Sequence, residues 1–217
     1  MNKQKLFLLA TVFWLATAVS AHADDMMMPE LLKLQHDWAV TKYEAPGDQR
    51  EALFEKLATR ASALASEYPE RAEPLVWQAI IASTEAGESG GLGALKLVKQ
   101  ARDLLMKAEK LNPDVLQGSI YTSLGSLYYQ VPGWPIGFGD DEKAEKYLKH
   151  ALSINPEGID PNYFYADYLY SQKRYPEAMK YVMRALNAPA RKERPLADKG
   201  RQQEARELQQ KIQQKLA

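Results

Sequence analysis

The sequence predicts an all-α protein: an array of antiparallel helical hairpins with glycine- and aromatic-rich insertions, ending in a C-terminal capping helix. Three observations carry that prediction. Apolar residues recur at three- and four-residue spacing along most of the chain. Three of those stretches share one pattern and stop just before a proline. Period-two alternation bounded by turn residues, the signature of strands, does not recur.

Taken in order, the first segment is expected to be removed. Lys3 and Lys5 precede an apolar run from Leu6 to Val19, and Ala21-His22-Ala23 places small residues at the two positions a signal peptidase reads. The run is shorter than the roughly 18 residues a membrane-spanning helix needs. Residues 1–23 therefore read as a cleaved secretory signal that leaves no membrane span behind. Cysteine is absent, which excludes disulfides and a thiol for a lipid anchor. A periplasmic location is the simplest expectation. The 217-residue chain carries 28 basic and 28 acidic residues; without Lys3 and Lys5, 26 against 28 leave a charge of −2. A nucleic-acid binder would show a basic face instead, so nucleic acid is not an expected partner.

Residues 29–69 read as a first hairpin, with Trp38 and Tyr43 in one helix, Ala58 and Ala65 in the other, and Ala45-Pro46-Gly47 between them. The next hairpin starts near Pro74 with Trp77, Ile80 and Thr84. It continues in "QARDLLMKAEKLNPD", where Ala101, Leu105, Ala108 and Leu111 line one helical face before Asn112-Pro113. A third has Tyr121, Leu124-Gly125 and Tyr128 in its first helix, then Ala144, Leu148, Ala151 and Ile154 before Asn155-Pro156. The last pairs Ala166 and Leu169 with Tyr175, Ala178, Val182 and Ala185 before Pro189. Small residues at Gly125, Ala144, Ala151, Ala166, Ala178 and Ala185 let paired helices approach closely. The end, "RQQEARELQQKIQQKLA", is polar apart from Ala205, Leu208, Ile212 and Leu216, the single stripe a terminal cap needs.

An aromatic, Leu-Gly, Tyr, Ala, aromatic, Ala, Pro series in that order resembles the tetratricopeptide repeat family, a helix-turn-helix unit of about 34 residues. The resemblance covers roughly residues 74–189 and implies a helical-repeat domain over 24–190 followed by the capping helix, 191–217. Against the usual unit, seven extra residues lie between Tyr128 and Ala144 and eight between Thr84 and Ala101. Insertions inside successive hairpins fall along one edge of such an array. Residues 87–95 and 131–141 are therefore expected side by side as loops on one rim of a groove lined by the first helices. Trp134, Ile136 and Phe138 either fold the second loop onto the helices or wall a pocket, and Asp140 and Asp141 suit the start of the next helix.

Helical spacing picks Gln78, Ala82 and Glu85, then Thr122, Ser126, Tyr129 and Gln130, then Tyr163, Asp167 and Tyr170 as side chains facing the groove, with Trp134 and Phe138 above them. Ten of the 12 tyrosines fall between Tyr121 and Tyr181, and those not needed in the core supply rigid apolar area with a polar tip. Peptide-clamping members of the family carry Lys, Arg and Asn in these slots, which this chain lacks. "GGLGALK" has neither the spacing nor the Lys-Ser/Thr ending of a phosphate loop. His36 and His150 are far apart, so no metal or other cofactor is expected. An acid pair drawn from Glu85, Asp140, Asp141 or Asp167 is the only catalytic candidate, and no base or nucleophile accompanies it; no enzymatic activity is expected.

The signal segment, the glycine-rich insertion and "PGWPIGFGDDEKAEKYLKHALSINPEGIDPNYFYADYLY" together resemble the T-component proteins of tripartite ATP-independent periplasmic (TRAP) transporters. That resemblance implies a non-enzymatic periplasmic scaffold that holds a partner protein, such as a solute-binding protein, or a small apolar ligand. An envelope assembly factor that binds extended peptides is the alternative reading.

Overall fold

The computed structural model describes residues 26–217; the expected signal segment lies outside the described residues. The protein is all-α. Helix α1 occupies residues 26–43 and is followed by α2 (Gly47–Glu67), α3 (Ala72–Ser89), α4 (Gly91–Leu111), a short 3-10 turn at Val115–Gly118, α5 (Ser119–Gln130), α6 (Asp141–Ile154), α7 (Ile159–Ser171), α8 (Tyr175–Leu186) and α9 (Pro195–Leu216). No helix among the described residues is long and apolar enough to cross a membrane.

The stops come where the sequence places them. The chain leaves the helical region at Asn112 after α4 and at Asn155 after α6, each one residue before a proline. Asp140 caps α6, its Oδ1 accepting from the Lys143 N–H at 3.0 Å, and Asp141 and Glu142 put negative charge in the first turn.

Side-chain contacts give the direction of each neighbour. Tyr128 stacks on Tyr147 at 5.6 Å while Tyr121 meets His150 at 4.2 Å, so α5 and α6 run antiparallel. Tyr165 reaches Glu145 and Tyr168 reaches the Asp141 carbonyl, which reverses α6 and α7. Tyr165 meets Tyr181 and Tyr170 meets Tyr175, which reverses α7 and α8. Gly125 shows why small residues sit in these seams: a Cβ there would fall 2.5 Å from Leu148 Cγ. That approach leaves no room for even a methyl group.

The helices fall into two sets. α3 touches α5, α5 touches α7 and α7 touches α9, whereas none of α2, α4, α6 and α8 touches another even-numbered helix. One apolar core runs from α3 to α9 through Leu105, Leu124, Leu148, Leu169 and Ile212. A second joins α1, α2 and α3 through Leu31, Trp38, Phe54 and Trp77, and it also takes in Ala197 from the start of α9.

Two expectations change. Residues 87–95 are not a loop: α3 runs on to Ser89 and α4 begins at Gly91, so the extra residues mostly lengthen two helices. Only Gly90 and Gly91, at φ +66° and +62°, make the reversal, a backbone region that side chains disfavour. The last helix does more than cover one end. At 22 residues it spans about 33 Å. Its stripe Ala205, Leu208 and Ile212 joins the long core, and its first turn reaches α1 and α3 in the other core.

Candidate functional site: the charged seam of helix α9 and the aromatic rim

Helix α9 is held in place by a network of charged side chains. Asp160 at the start of α7 accepts from Arg191 Nη1 at 2.7 Å and from Arg201 Nε at 2.9 Å. Arg191 also donates to Asp198 at 2.7 Å. Arg201 pairs with Glu204, and Glu204 pairs with Lys42 of α1 at 2.9 Å. The Arg201 guanidinium lies 4.6 Å from the Tyr163 ring centre and 4.5 Å from that of Phe164. Tyr43 of α1 packs on Gly200, where a Cβ would sit 2.5 Å from the ring. The seam therefore ties α1, α7 and α9 together.

Its electrostatics follow from burial and pairing. Burial alone would raise Asp160, but the Arg201, Arg191 and Arg194 guanidiniums outweigh it and hold its carboxyl far below the usual carboxylate range. Burial opposes Glu204 in the same way, and Arg201 and Lys42 hold it low. Burial, followed by repulsion from Arg201, lowers Lys42.

Arg194 differs from the rest. It stacks 4.8 Å from the Trp77 ring centre, its Nε is buried without an acceptor, and burial pulls its pKa down. Beside it, Gln35, His36 and Ala39 of α1 and Glu193, Pro195, Leu196 and Ala197 line a shallow cleft that opens to solvent and has internal room for about one water molecule.

The residues picked from the sequence are divided by the structure. Tyr129 donates to Asp167 Oδ2 at 2.7 Å, and Gln130 donates to the Tyr129 hydroxyl at 2.9 Å. Burial raises the Asp167 carboxyl, and burial followed by Asp167 itself raises the Tyr129 phenol. Tyr163 stands close enough to both to act on them electrostatically, yet its face is covered by Arg201 of α9. Ser126 and Gln78 are half-buried. Thr122 is buried, and its hydroxyl donates to the carbonyl of Gly118, the residue just before α5, so it offers nothing to a groove. Tyr170 packs on Tyr175 of α8. Glu85 turns toward α2: burial, then Glu55 and Glu51, raise its carboxyl, and its Oε2 is buried without a partner.

Trp134 and Phe138 lie elsewhere, on the rim beside α4. Phe138 meets Tyr128 edge-on at 5.5 Å and carries the Arg102 guanidinium at 4.6 Å. Backbone bonds fix the loop: Gly139 N–H to the Pro132 carbonyl at 3.0 Å, Gly137 N–H to Gly133 at 3.1 Å and Asp140 N–H to Tyr128 at 2.8 Å. Its tip stands free, with Trp134 90% and Ile136 65% exposed. The expectation of Trp134 as a roof therefore fails, because its ring points away from the helices. The two insertions are neighbours nonetheless: a Cβ on Gly137 would meet Leu95 Cδ1 at 3.5 Å, and Leu92, one turn before Leu95, is 89% exposed.

Sequence reading missed the seam. A signal existed in the run Ala197, Arg201, Ala205, Leu208, Ile212, where an arginine occupies a slot of the apolar stripe. Paired residues of the seam lie up to 162 positions apart, as Lys42 and Glu204 do, and no local pattern joins them. Among the described residues, no group of three metal-ligating side chains comes together. No protein-family model matches the chain, and no curated protein matches it.

Proposed function

We propose that this chain is a non-enzymatic binding scaffold of tetratricopeptide-like build that engages a protein partner through the rim formed by Trp134, Ile136 and Leu92. The observation that carries this reading is the exposure of three large apolar side chains on two adjacent insertions whose backbone is held in place. Exposed apolar area on a fixed frame is what an interface uses, because little conformational freedom is lost when a partner covers it. The layer of odd-numbered helices touching one another, with the even-numbered helices kept apart, supports the repeat assignment.

The rest of the proposal follows the resemblance set out above. The scaffold is exported to the periplasm through its N-terminal signal, and its partner is a solute-binding protein of a TRAP-type transporter. A small apolar ligand is less favoured, since the Trp134 ring roofs no pocket. An extended peptide in the groove is also less favoured, because α9 covers Tyr163.

The test places a photo-crosslinking residue at 134 in cells, and at Met106, an exposed position on α4, as control. A single defined protein adduct at 134 and none at 106 is expected. Equal labelling at both, or none at 134, would remove the rim from the function.

A further inference from the structure

The rim carries opposite charge on its two sides. Its tip, Trp134 and Ile136 with Leu92 beside them, is apolar and exposed. On one side runs α4. A Cβ on Gly137 would lie 3.5 Å from Leu95 Cδ1, and the Arg102 guanidinium covers the Phe138 ring, so the loop rests on the first turns of that helix. Lys96 and Lys99 follow Leu92 at spacings of four and three, which sets all three on one exposed stripe. On the other side the loop ends in α6. The Asp140 N–H donates to the Tyr128 carbonyl at 2.8 Å, and Asp141 and Glu142 follow in the exposed first turn. The ion pairs about the rim are Arg50–Glu88, Arg102–Asp103 and Lys143–Asp140, which leaves Lys96 and Lys99 without an acid and Asp141 and Glu142 without a base.

A patch ordered basic, apolar, acidic is poorly met by a surface of one sign, because one flank then faces like charge. It is met well by itself. When a second copy is turned about a two-fold axis that crosses the line from Lys99 to Glu142, the lysines of each copy face the acids of the other and the two apolar tips meet at the axis.

We propose that two copies of this chain pair through the rim as an isologous dimer. Trp134, Ile136 and Leu92 of both copies form the apolar centre, and Lys96 and Lys99 of one copy pair with Asp141 and Glu142 of the other at each edge. The pairing rests on the rim being an interface, as proposed above, and adds a second occupant that a periplasmic partner has to displace. Only two short segments meet, so the dimer is weak enough to be displaced.

Sedimentation velocity of the purified chain from about 1 μM to about 1 mM follows the mass, and half-association on the order of 100 μM is expected for a contact at the small end of the interface range. Added salt weakens it. Trp134→Asp weakens it by at least about tenfold, as loss of a central aromatic should. Lys96→Glu with Lys99→Glu gives a variant with acid on both flanks, and Asp141→Lys with Glu142→Lys gives one with base on both. Each alone stays monomeric, and an equal mixture of the two dimerises, because every edge then joins opposite charges. All five positions are exposed and the Asp140 cap is left in place. Circular dichroism checks that each variant is folded; where the basic variant is not, Trp134→Asp and the acidic variant decide. The proposal is overturned by a chain that stays monomeric, by growth beyond a dimer, by undiminished association in folded Trp134→Asp or in the folded acidic variant, or by two folded charge variants whose mixture stays monomeric. A monomeric chain that binds phosphatidylglycerol vesicles through Trp134 would give the rim to a lipid surface instead. A monomeric chain that yields a single adduct with a different protein at 134 in cells would leave the partner reading standing without the second copy.

Discussion

The α5–α6 hairpin and the α9 seam are held together by opposite means. In the hairpin, Gly125, Ala144 and Ala151 bring two helices together, and Tyr121, Tyr128 and Tyr147 stack in a line along the joint. Contact is apolar and local, between residues less than 30 positions apart. In the seam, Asp160, Arg191, Asp198, Arg201, Glu204 and Lys42 join helices from the two ends of the described chain by paired charges. Close packing tolerates no added volume; a buried charge network tolerates no missing partner. The two regions should therefore fail in different ways.

The largest effect is expected at Asp160→Asn. It leaves Arg191 and Arg201 without their shared carboxylate, and removing one partner of a buried pair costs about 3 kcal/mol, at the low end because a quarter of the Asp160 side chain is open to water. Denaturant unfolding measures it. The pH dependence sharpens the same point. Asp160 and Glu204 have folded pKa values depressed below their unfolded values, so their contribution is complete above the unfolded range, near pH 4–5, and is lost as the pH falls through the folded values. The unfolding midpoint of the native protein should drop between pH 5 and 3, and that of Asp160→Asn should drop less.

Next comes Gly125→Val in the hairpin. With Leu148 Cγ 2.5 Å from the position of the first added carbon, α5 and α6 must separate, and overpacking of this kind costs about 2 kcal/mol. Its effect should be insensitive to pH over the same range, in contrast to Asp160→Asn. Parallel pH slopes in the two variants would erase the distinction between the regions.

Smaller effects separate the anchor of the inserted loop from its tip. Phe138→Ala removes the contacts with Tyr128 and Arg102 and should cost about 1 kcal/mol. Trp134→Ala, at a 90% exposed site, should change stability by less than about 0.5 kcal/mol while abolishing crosslinking at the rim. A small shift of opposite sign is expected at Asp167→Asn. Burial raises that carboxyl, so its charge opposes folding at pH 7, and Asn still accepts from Tyr129. A stabilisation below about 1 kcal/mol is expected at pH 7, and it should vanish as the pH is lowered far enough to protonate the native aspartate.

Much of the all-α fold could be read from the chain. The periodic faces through Ala101–Leu111, Ala144–Ile154 and Ala178–Ala185 became α4, α6 and α8, and Asp140 became the cap of α6. Such features depend on residues a few positions apart, where helical geometry converts spacing directly into a shared face. The glycine-rich insertion misled for the same local reason. Gly87, Gly90, Gly91 and Gly93 suggest a loop, yet packing of α3 on α4 extends both helices almost to the turn. Of the groove residues, Tyr129, Gln130 and Asp167 did come together. Trp134 was placed above a groove it does not face, because nothing in "PGWPIGFG" tells which aromatic turns inward.

By itself, then, the sequence determined the class of the protein, its hairpin pairing and the small residues in its seams, since each follows from spacing within one or two helices. Only the tertiary structure decided that α9 folds back onto α1, that Arg194 is left without a carboxylate, and that Phe138 rather than Trp134 anchors the inserted loop. Those outcomes depend on which distant surfaces share a dry interface, where charges must find partners and rings must find cover, and local periodicity carries no record of distant neighbours.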